Sequence, residues 1–283
     1  MLRAIPARRR SFAPALAPLT FGALNELVSR ISAQLRAAGI GPWSRVGVAL
    51  PRGPEAALIS VAVCSTATVL PLNPNLAPGD LQAELAKIRL DALIVPGWTR
   101  LPVWAQGAGI NFGLFTVSQA STSFGDIALT EARPVEHPQP AVPLEAKSVA
   151  AIFRTSGTTG AAKRVPITHE NLLEMARKMR EWLGLTPADR STCILPIYYN
   201  AGFKATLLVP LLIGCSVAMP ASINPQEFEQ WAGELHPTWL TAAPAFLQAV
   251  LEKVRASGKP AHSLRFVLST ASYLSEGVRA ELE

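Results

Sequence analysis

Predicted strands and helices alternate along almost the whole chain, and this alternation limits the fold more than any other feature. Short apolar runs such as "RVGVAL" from Arg45 and "DALIVPG" from Asp91 predict buried strands. The first amphipathic segment is expected to begin after Thr20, a favoured N-cap residue, and to end at Gly39. Because successive parallel strands need a crossover connection, the pattern predicts an α/β fold built on parallel sheets.

The alternation comes in two blocks, separated by a stretch rich in Pro, Gly and Ser. Within this stretch, "STSFGDIALTEARPVEHPQPAVPLEAK" from Ser121 predicts a solvent-exposed loop. We expect a first α/β block at about residues 20–146 and a second at about 147–283. Residues 1–19 are predicted to be a basic flexible tail. The chain ends within a predicted helix, which indicates a truncated domain.

The net charge of +6 is concentrated at the N-terminus. Arg3, Arg8, Arg9 and Arg10 precede the first acidic residue, Glu26, so the rest of the chain is nearly neutral. No basic stripe interleaved with aromatic residues follows, and nucleic acid is therefore not an expected partner. The longest apolar run is interrupted by Ser, Thr and Pro, so no membrane span is predicted.

Cysteine and histidine spacing gives no sign of a disulfide framework or a metal site. The cysteines are three in number, isolated, and without a CxxC pair: Cys64, Cys193 and Cys215. An odd, scattered set of this kind is typical of a protein from the reducing cytoplasm. The four histidines also lack metal-ligand spacing: His137, His169, His236 and His262.

The stretch "FRTSGTTGAAKRVPITHENL" from Phe153 carries the strongest chemical signal. A predicted strand enters it, and an amphipathic helix with Thr168 as its N-cap is predicted to leave it. Hydroxyl groups and backbone N–H groups in such a turn can bind phosphate oxygens, and Lys163 adds a positive charge. A hydroxyl can also reach the accompanying Mg²⁺. The loop consists of Thr155, Ser156, Gly157, Thr158, Thr159 and Gly160.

Spacing excludes two common readings of this loop and leaves a third open. A Walker loop needs lysine directly after the second glycine, whereas two alanines separate Gly160 from Lys163. The hydrolase pattern G-x-S-x-G is absent around Ser156. On the residues alone, a glycine- and threonine-rich turn without a ligand remains an equal alternative.

The whole stretch resembles the phosphate-binding signature of the adenylate-forming (AMP-binding) enzyme superfamily, which includes the acyl-CoA synthetases. Five further segments resemble the core motifs of that family in the same order, beginning at Leu19, Ser65, Leu195, Pro237 and Leu264. The resemblance is to the N-terminal portion of the AMP-dependent synthetase and ligase type. It implies a truncated large domain with two packed parallel-rich sheets flanked by helices.

The resemblance also implies a reaction in two halves. A carboxylate attacks the α-phosphate of Mg·ATP, pyrophosphate leaves, and the acyl-adenylate then passes its acyl group to a thiol. The thiol is coenzyme A or the phosphopantetheine of a carrier protein. In such a reaction the protein positions the reactants and neutralises the charge on the leaving pyrophosphate.

Site residues are carried over to the matching positions of this chain. Lys163 is implied as the catalytic residue, residues 155–160 as the phosphate loop, and Thr158 and Thr159 as the magnesium contacts. The family has proline before the lysine and glycine after it, where this chain has Ala162 and Arg164. Arg164 is equally consistent with a second phosphate-binding cation and with a solvated side chain.

Two further segments are implied in nucleotide and substrate binding. "STASYL" matches the segment that lies along adenine, which implies roles for Ala271, Ser272 and Tyr273. "LPIYYNAGFK" matches the segment that lines the carboxylate site, which implies roles for Tyr199, Asn200 and Gly202. This segment lacks the aspartate with which amino-acid-activating members hold the α-amine, so a substrate without that amine is expected. Lys204 either faces a carboxylate or is solvated.

The later motifs of the family, including a mobile C-terminal lid domain with its catalytic lysine, are not found in the chain. We therefore expect residues 20–283 to be an incomplete AMP-binding domain that does not adenylate on its own. The alternative is a catalytically silent protein that binds a nucleotide or a partner.

Overall fold

The computed structural model describes residues 2–4, 17–86, 88–98, 112–120, 123–154, 163–258 and 262–283. Within these residues the chain forms twelve strands and eight α-helices. The helices are α1 Phe21–Ala37, α2 Pro54–Cys64, α3 Pro78–Ala86, α4 His169–Leu183, α5 Val209–Ile213, α6 Phe228–Leu235, α7 Pro244–Ser257 and α8 Glu276–Leu282.

The strands divide into two sheets, and the chain divides into two compact units. The first unit comprises Leu19–Glu174 and Ile197–Tyr199, and the second unit comprises Met1–Pro18, Met175–Pro196 and Asn200–Glu283. The strands are β1 Leu2–Ala4, β2 Arg45–Val48, β3 Thr68–Pro71, β4 Ala92–Pro96, β5 Gly113–Val117, β6 Leu129–Arg133, β7 Val149–Arg154, β8 Arg164–Thr168, β9 Arg190–Thr192, β10 Ser216–Met219, β11 Trp239–Ala242 and β12 Phe266–Ser269.

The described part of the first unit holds a seven-stranded mixed sheet in the order β6-β5-β4-β2-β3-β7-β8. Its central strands are parallel, whereas β6 and β8 are antiparallel to their neighbours at the two ends. Central residues such as Val46, Leu93 and Ile94 are fully buried, as expected for parallel strands covered on both faces. Leu81 and Leu85 of α3 belong to the cluster of buried side chains that includes Leu93.

The described part of the second unit holds a five-stranded sheet in the order β1-β10-β9-β11-β12, in which every pairing is parallel. Two clusters of buried side chains lie against it. One includes Phe228 and Trp231, whose rings meet edge to face. The other includes Trp239, which is fully buried. The α/β fold with parallel-rich sheets is therefore confirmed.

The first helix follows its sequence signals closely. Thr20 Oγ1 accepts a hydrogen bond of 3.1 Å from the N–H of Ala23, as an N-cap residue should. Gly39, just beyond the end of α1, has φ of +82°, a backbone conformation that favours glycine.

Four parts of the chain differ from the sequence-based expectations. The exposed loop predicted from Ser121 contains β6, which pairs with β5 and extends the first sheet. A further strand, β8, lies between the motif and α4. β7 and β8 pair within the first sheet, whereas the sequence analysis assigned residues from 147 onwards to the second block, and the first unit extends to Glu174, within α4. Hydropathy alternation predicts strands, but it does not say which sheet a strand joins.

The fourth difference concerns the predicted flexible tail. Leu2–Ala4 form β1 and pair in parallel with β10, which offers an unpaired sheet edge. Residues 5–16 lie outside the described part of the chain. The three cysteines are buried and form no disulfide. No helix in the described ranges is long and apolar enough to cross a membrane.

Candidate functional site

The phosphate-loop motif is carried by a β-hairpin. β7 ends at Arg154 and β8 begins at Arg164, and these two residues are paired in the antiparallel register. Thr155–Gly160 were predicted to bind the phosphates, with Thr158 and Thr159 on the metal; they lie outside the described residues. The structure therefore describes the frame of the loop and the position of Lys163 directly before β8.

Three cations flank the ends of this loop: Arg154, Lys163 and Arg164, all of which are exposed. Side chains directly opposite each other in an antiparallel pair lie on the same face, and like charges in that position repel. Guanidinium and ammonium groups at these positions are donors of the kind that bind phosphate oxygens. The donor set therefore fits a polyphosphate such as that of Mg·ATP. Arg164 also lines a cleft of about 460 Å³ in the first unit.

The start of α4 is fixed by a reciprocal cap. The N–H of Asn171 donates to Thr168 Oγ1 and the N–H of Thr168 donates to Asn171 Oδ1, both at 3.1 Å. The predicted N-cap at Thr168 is therefore confirmed. His169 follows it, and burial lowers the pKa of its imidazole, so this side chain is neutral near pH 7.

Tyr198 and Tyr199 differ in their surroundings although they are adjacent. Their ring centroids are 4.7 Å apart at an angle of 59°. Burial, with a smaller contribution from Tyr199, raises the pKa of the Tyr198 phenol. Tyr199 is 57% exposed, so its ring is accessible to a small molecule, as a pocket residue requires. Asn200 is exposed as well.

The helix that follows these residues begins as a π-helix, Gly202–Leu208, which continues into α5. The N–H of Val209 donates to the carbonyl of Lys204, which closes this wider turn. A Cβ atom on Gly202 would lie 2.2 Å from the carbonyl oxygen of Pro196, so only glycine fits there. π-helical turns are rare and often occur at functional sites, and hydropathy does not distinguish them from α-helix.

Lys204 lies within the π-helix and is half-buried. Burial lowers the pKa of its ammonium group. The ammonium group has no hydrogen-bond or ion-pair partner among the residues that the structure describes. Lys204 is therefore not fully solvated, which was one of the two alternatives left open by the sequence.

The predicted adenine segment follows β12 as an exposed turn. Ala271 has φ of +77°, which is uncommon for a residue with a Cβ atom. Such backbone strain is concentrated at functional positions. Ser272 is exposed and Tyr273 is 79% exposed. Ser269 Oγ, at the end of β12, is buried and has no hydrogen-bond partner within the described ranges.

A buried carboxylate that the sequence did not single out holds the strand bearing this segment. Asp189 accepts hydrogen bonds from the N–H of Thr186 at 2.9 Å, from Thr238 Oγ1 at 2.8 Å and from Arg265 Nη1 at 2.5 Å. Burial alone would raise the pKa of Asp189, but these hydrogen bonds and the Arg265 charge together lower it. Asp189 thereby joins the starts of β9, β11 and β12. No motif in the sequence marks it.

The structure thus groups the predicted site residues by unit. Lys163 and Tyr199 belong to the first unit, and Asn200 and Gly202 belong to the second. The adenine segment Ala271, Ser272 and Tyr273 also belongs to the second unit. Of the residues near these positions, sequence reasoning missed Arg154, which only the strand register places opposite Arg164.

The strands on either side of the glycine- and threonine-rich stretch belong to the mixed sheet of an α/β protein, and cations lie at both ends of that stretch. The chain matches the family model of AMP-binding enzymes over residues 7–283. It therefore belongs to the AMP-binding enzyme family, and the resemblance of its motifs is confirmed.

Two curated relatives and one solved structure illustrate the similarity. Sulfoacetate–CoA ligase from Cupriavidus necator is 29% identical over 263 residues, which cover 90% of this chain and 50% of that protein. Oxalate–CoA ligase from Arabidopsis thaliana is 27% identical over 281 residues, covering 94% and 53%. The ATP-bound crystal structure of MatB from Rhodopseudomonas palustris matches with a TM-score of 0.79 at 20% identity, covering 99% and 53%. The chain thus spans about half the length of these relatives.

Proposed function

We propose that this chain takes part in the ATP-dependent activation of a carboxylic acid as an acyl-adenylate, followed by transfer of the acyl group to a thiol. Family membership supports acid activation and thiol transfer in general. The observation that carries the proposal is the hairpin itself: its register pairs Arg154 with Arg164 at the two ends of the predicted phosphate loop, and Lys163 directly precedes β8. Because the chain spans about half of its relatives, the activity of a whole enzyme is part of the proposal.

Each segment has a proposed role. Lys163 and residues 155–160 bind the β- and γ-phosphates of ATP, and Thr158 and Thr159 contact Mg²⁺. Ala271–Tyr273 lie along the adenine, and the strained backbone at Ala271 supports a functional use of this turn. Tyr199, Asn200 and Gly202 line the site of the acid.

The thiol acceptor is proposed to be coenzyme A, because the two curated relatives named above are CoA ligases. A carrier protein is the alternative acceptor. The acid is proposed to lack an α-amine, since Tyr199–Gly202 contains no aspartate to hold one. A cytoplasmic location, in keeping with three cysteines that form no disulfide, remains part of the proposal.

Binding of Mg·ATP to the chain tests the nucleotide part of this proposal. We expect Lys163→Ala to weaken binding at least about tenfold, since a charge-assisted hydrogen bond to phosphate is lost. Lys178→Ala, at an exposed position in α4, is the matched control and should leave binding unchanged. Equal affinities for the wild-type chain and Lys163→Ala would contradict the assigned role.

Exchange of labelled pyrophosphate into ATP, measured over a panel of carboxylic acids, tests acid activation. From the sequence we expect the 283-residue chain alone to show no exchange above the Lys163→Ala background. Exchange by the wild-type chain would show that these residues suffice for adenylation. Binding of ATP without exchange in any longer form of the protein would favour a silent nucleotide-binding protein instead.

A further inference from the structure

The π-helix that contains Lys204 is anchored to the neighbouring strand by side-chain hydrogen bonds. Thr206 Oγ1 lies 2.6 Å from the carbonyl oxygen of Gly202 and 3.2 Å from Cys193 Sγ. Ser191 Oγ donates to the carbonyl of Thr206 at 3.1 Å. All of these atoms are buried, and two of the bonds join the turn to Ser191 of β9 and to Cys193 directly after it. The backbone that carries Lys204 is therefore held against this strand.

Lys204 is the side chain that projects. The other six residues of this fully described turn are buried, whereas Lys204 reaches the surface and is half-buried. Its ammonium group has lost part of its hydration, and no carboxylate within the described ranges neutralises it. A partly desolvated ammonium group is stabilised when an anion replaces the lost water. The turn therefore carries a half-buried ammonium group that no carboxylate among the described residues neutralises.

We propose that Lys204 selects, as the acyl substrate, a small carboxylic acid that carries a second anionic group, either a carboxylate or a sulfonate. The inference rests on the proposed function, which places the acid at the adjoining residues Asn200 and Gly202. The reacting carboxylate must attack phosphorus, and pairing it tightly with a lysine would reduce its nucleophilicity. The second anionic group stays charged throughout adenylation. An ion pair between this group and Lys204 therefore orients the substrate without reducing the nucleophilicity of the reacting carboxylate.

The test compares acids that differ in charge and little in size. Dissociation constants for the chain would be measured by calorimetry with malonate, monomethyl malonate, sulfoacetate and propionate, each with and without Mg·ATP. We expect each doubly charged acid to bind at least about tenfold more tightly than its singly charged partner, the low end for a charge-assisted hydrogen bond. Lys204→Met should remove this preference, Lys204→Arg should keep most of it, and Lys178→Met should keep all of it.

The outcomes separate this inference from the proposed function. A preference of less than about twofold, a preference that survives in Lys204→Met, or no binding of any acid would overturn the role of Lys204. Loss of ATP binding with a Lys204-dependent preference intact would refute the proposed function and leave the anion site standing. Circular dichroism and thermal unfolding of each variant verify that the fold is retained.

Discussion

Replacement of Gly202 by alanine is the perturbation whose consequence follows most directly from the coordinates. The added Cβ would lie 2.2 Å from the carbonyl oxygen and 2.7 Å from the carbonyl carbon of Pro196, and 2.9 Å from the carbonyl oxygen of Leu195. All three atoms belong to the backbone, so no side chain can rotate away. Since ordinary contacts of this kind exceed 3 Å, the Leu195–Pro196 backbone must move by about 1 Å, which is overpacking at the upper end of about 1–3 kcal/mol.

Gly233→Ala provides the matched control, because Gly233 lies in α6 of the same unit and its Cβ would meet no atom within 4 Å. Alanine there should raise the free energy of unfolding by about 0.5–1 kcal/mol through helix propensity. Urea unfolding of the two variants and the wild-type chain would measure both changes. With about 2 °C per kcal/mol for a chain of this size, Gly202→Ala should also lower the melting temperature by about 6 °C. A Gly202→Ala variant within about 0.5 kcal/mol of wild type would refute the close-approach argument.

Two further predictions concern the strand that carries the adenine segment. Because the pKa of Asp189 lies below its ordinary value of 3.8, the folded state binds fewer protons than the unfolded state. The stability it contributes is therefore present above about pH 4 and lost as the pH falls through the folded pKa. Asp189→Asn should lower the free energy of unfolding by about 2 kcal/mol at pH 7, because it weakens the hydrogen bond from Arg265. The free energy measured by urea unfolding should then depend less on pH in the acid range. An unchanged pH dependence would contradict the role of Asp189. Ala271→Gly should raise the free energy of unfolding by up to about 1 kcal/mol, because glycine adopts a positive φ without strain. The control, Ala256→Gly in α7, should lower the free energy of unfolding by a similar amount. Equal effects of the two changes would show that Ala271 is unstrained.

The sequence predicts the elements of this fold better than their assembly. The strands around Arg45 and Asp91 are recognisable because a central parallel strand is apolar along its whole length. β6 and β8 were missed because each lies at the end of a sheet and is half exposed, with Glu131 and Pro166 interrupting the apolar pattern. Pairing partners depend on contacts between distant residues, and for this reason the sequence does not show that β7 and β8 join the first sheet.

The same distinction between local and distant information applies to the candidate site. The phosphate loop is recognised from a contiguous string, since its chemistry depends on hydroxyls, glycines and one lysine in a single turn. The pairing of Arg154 with Arg164 depends on strand register, and Lys204 lies half-buried in a π-helix that hydropathy does not predict. Since an amphipathic pattern does not distinguish a π-turn from an α-turn, a lysine of this kind reads as solvated in the sequence. Its partial burial among six buried neighbours makes Lys204 a testable determinant of which acid the protein accepts.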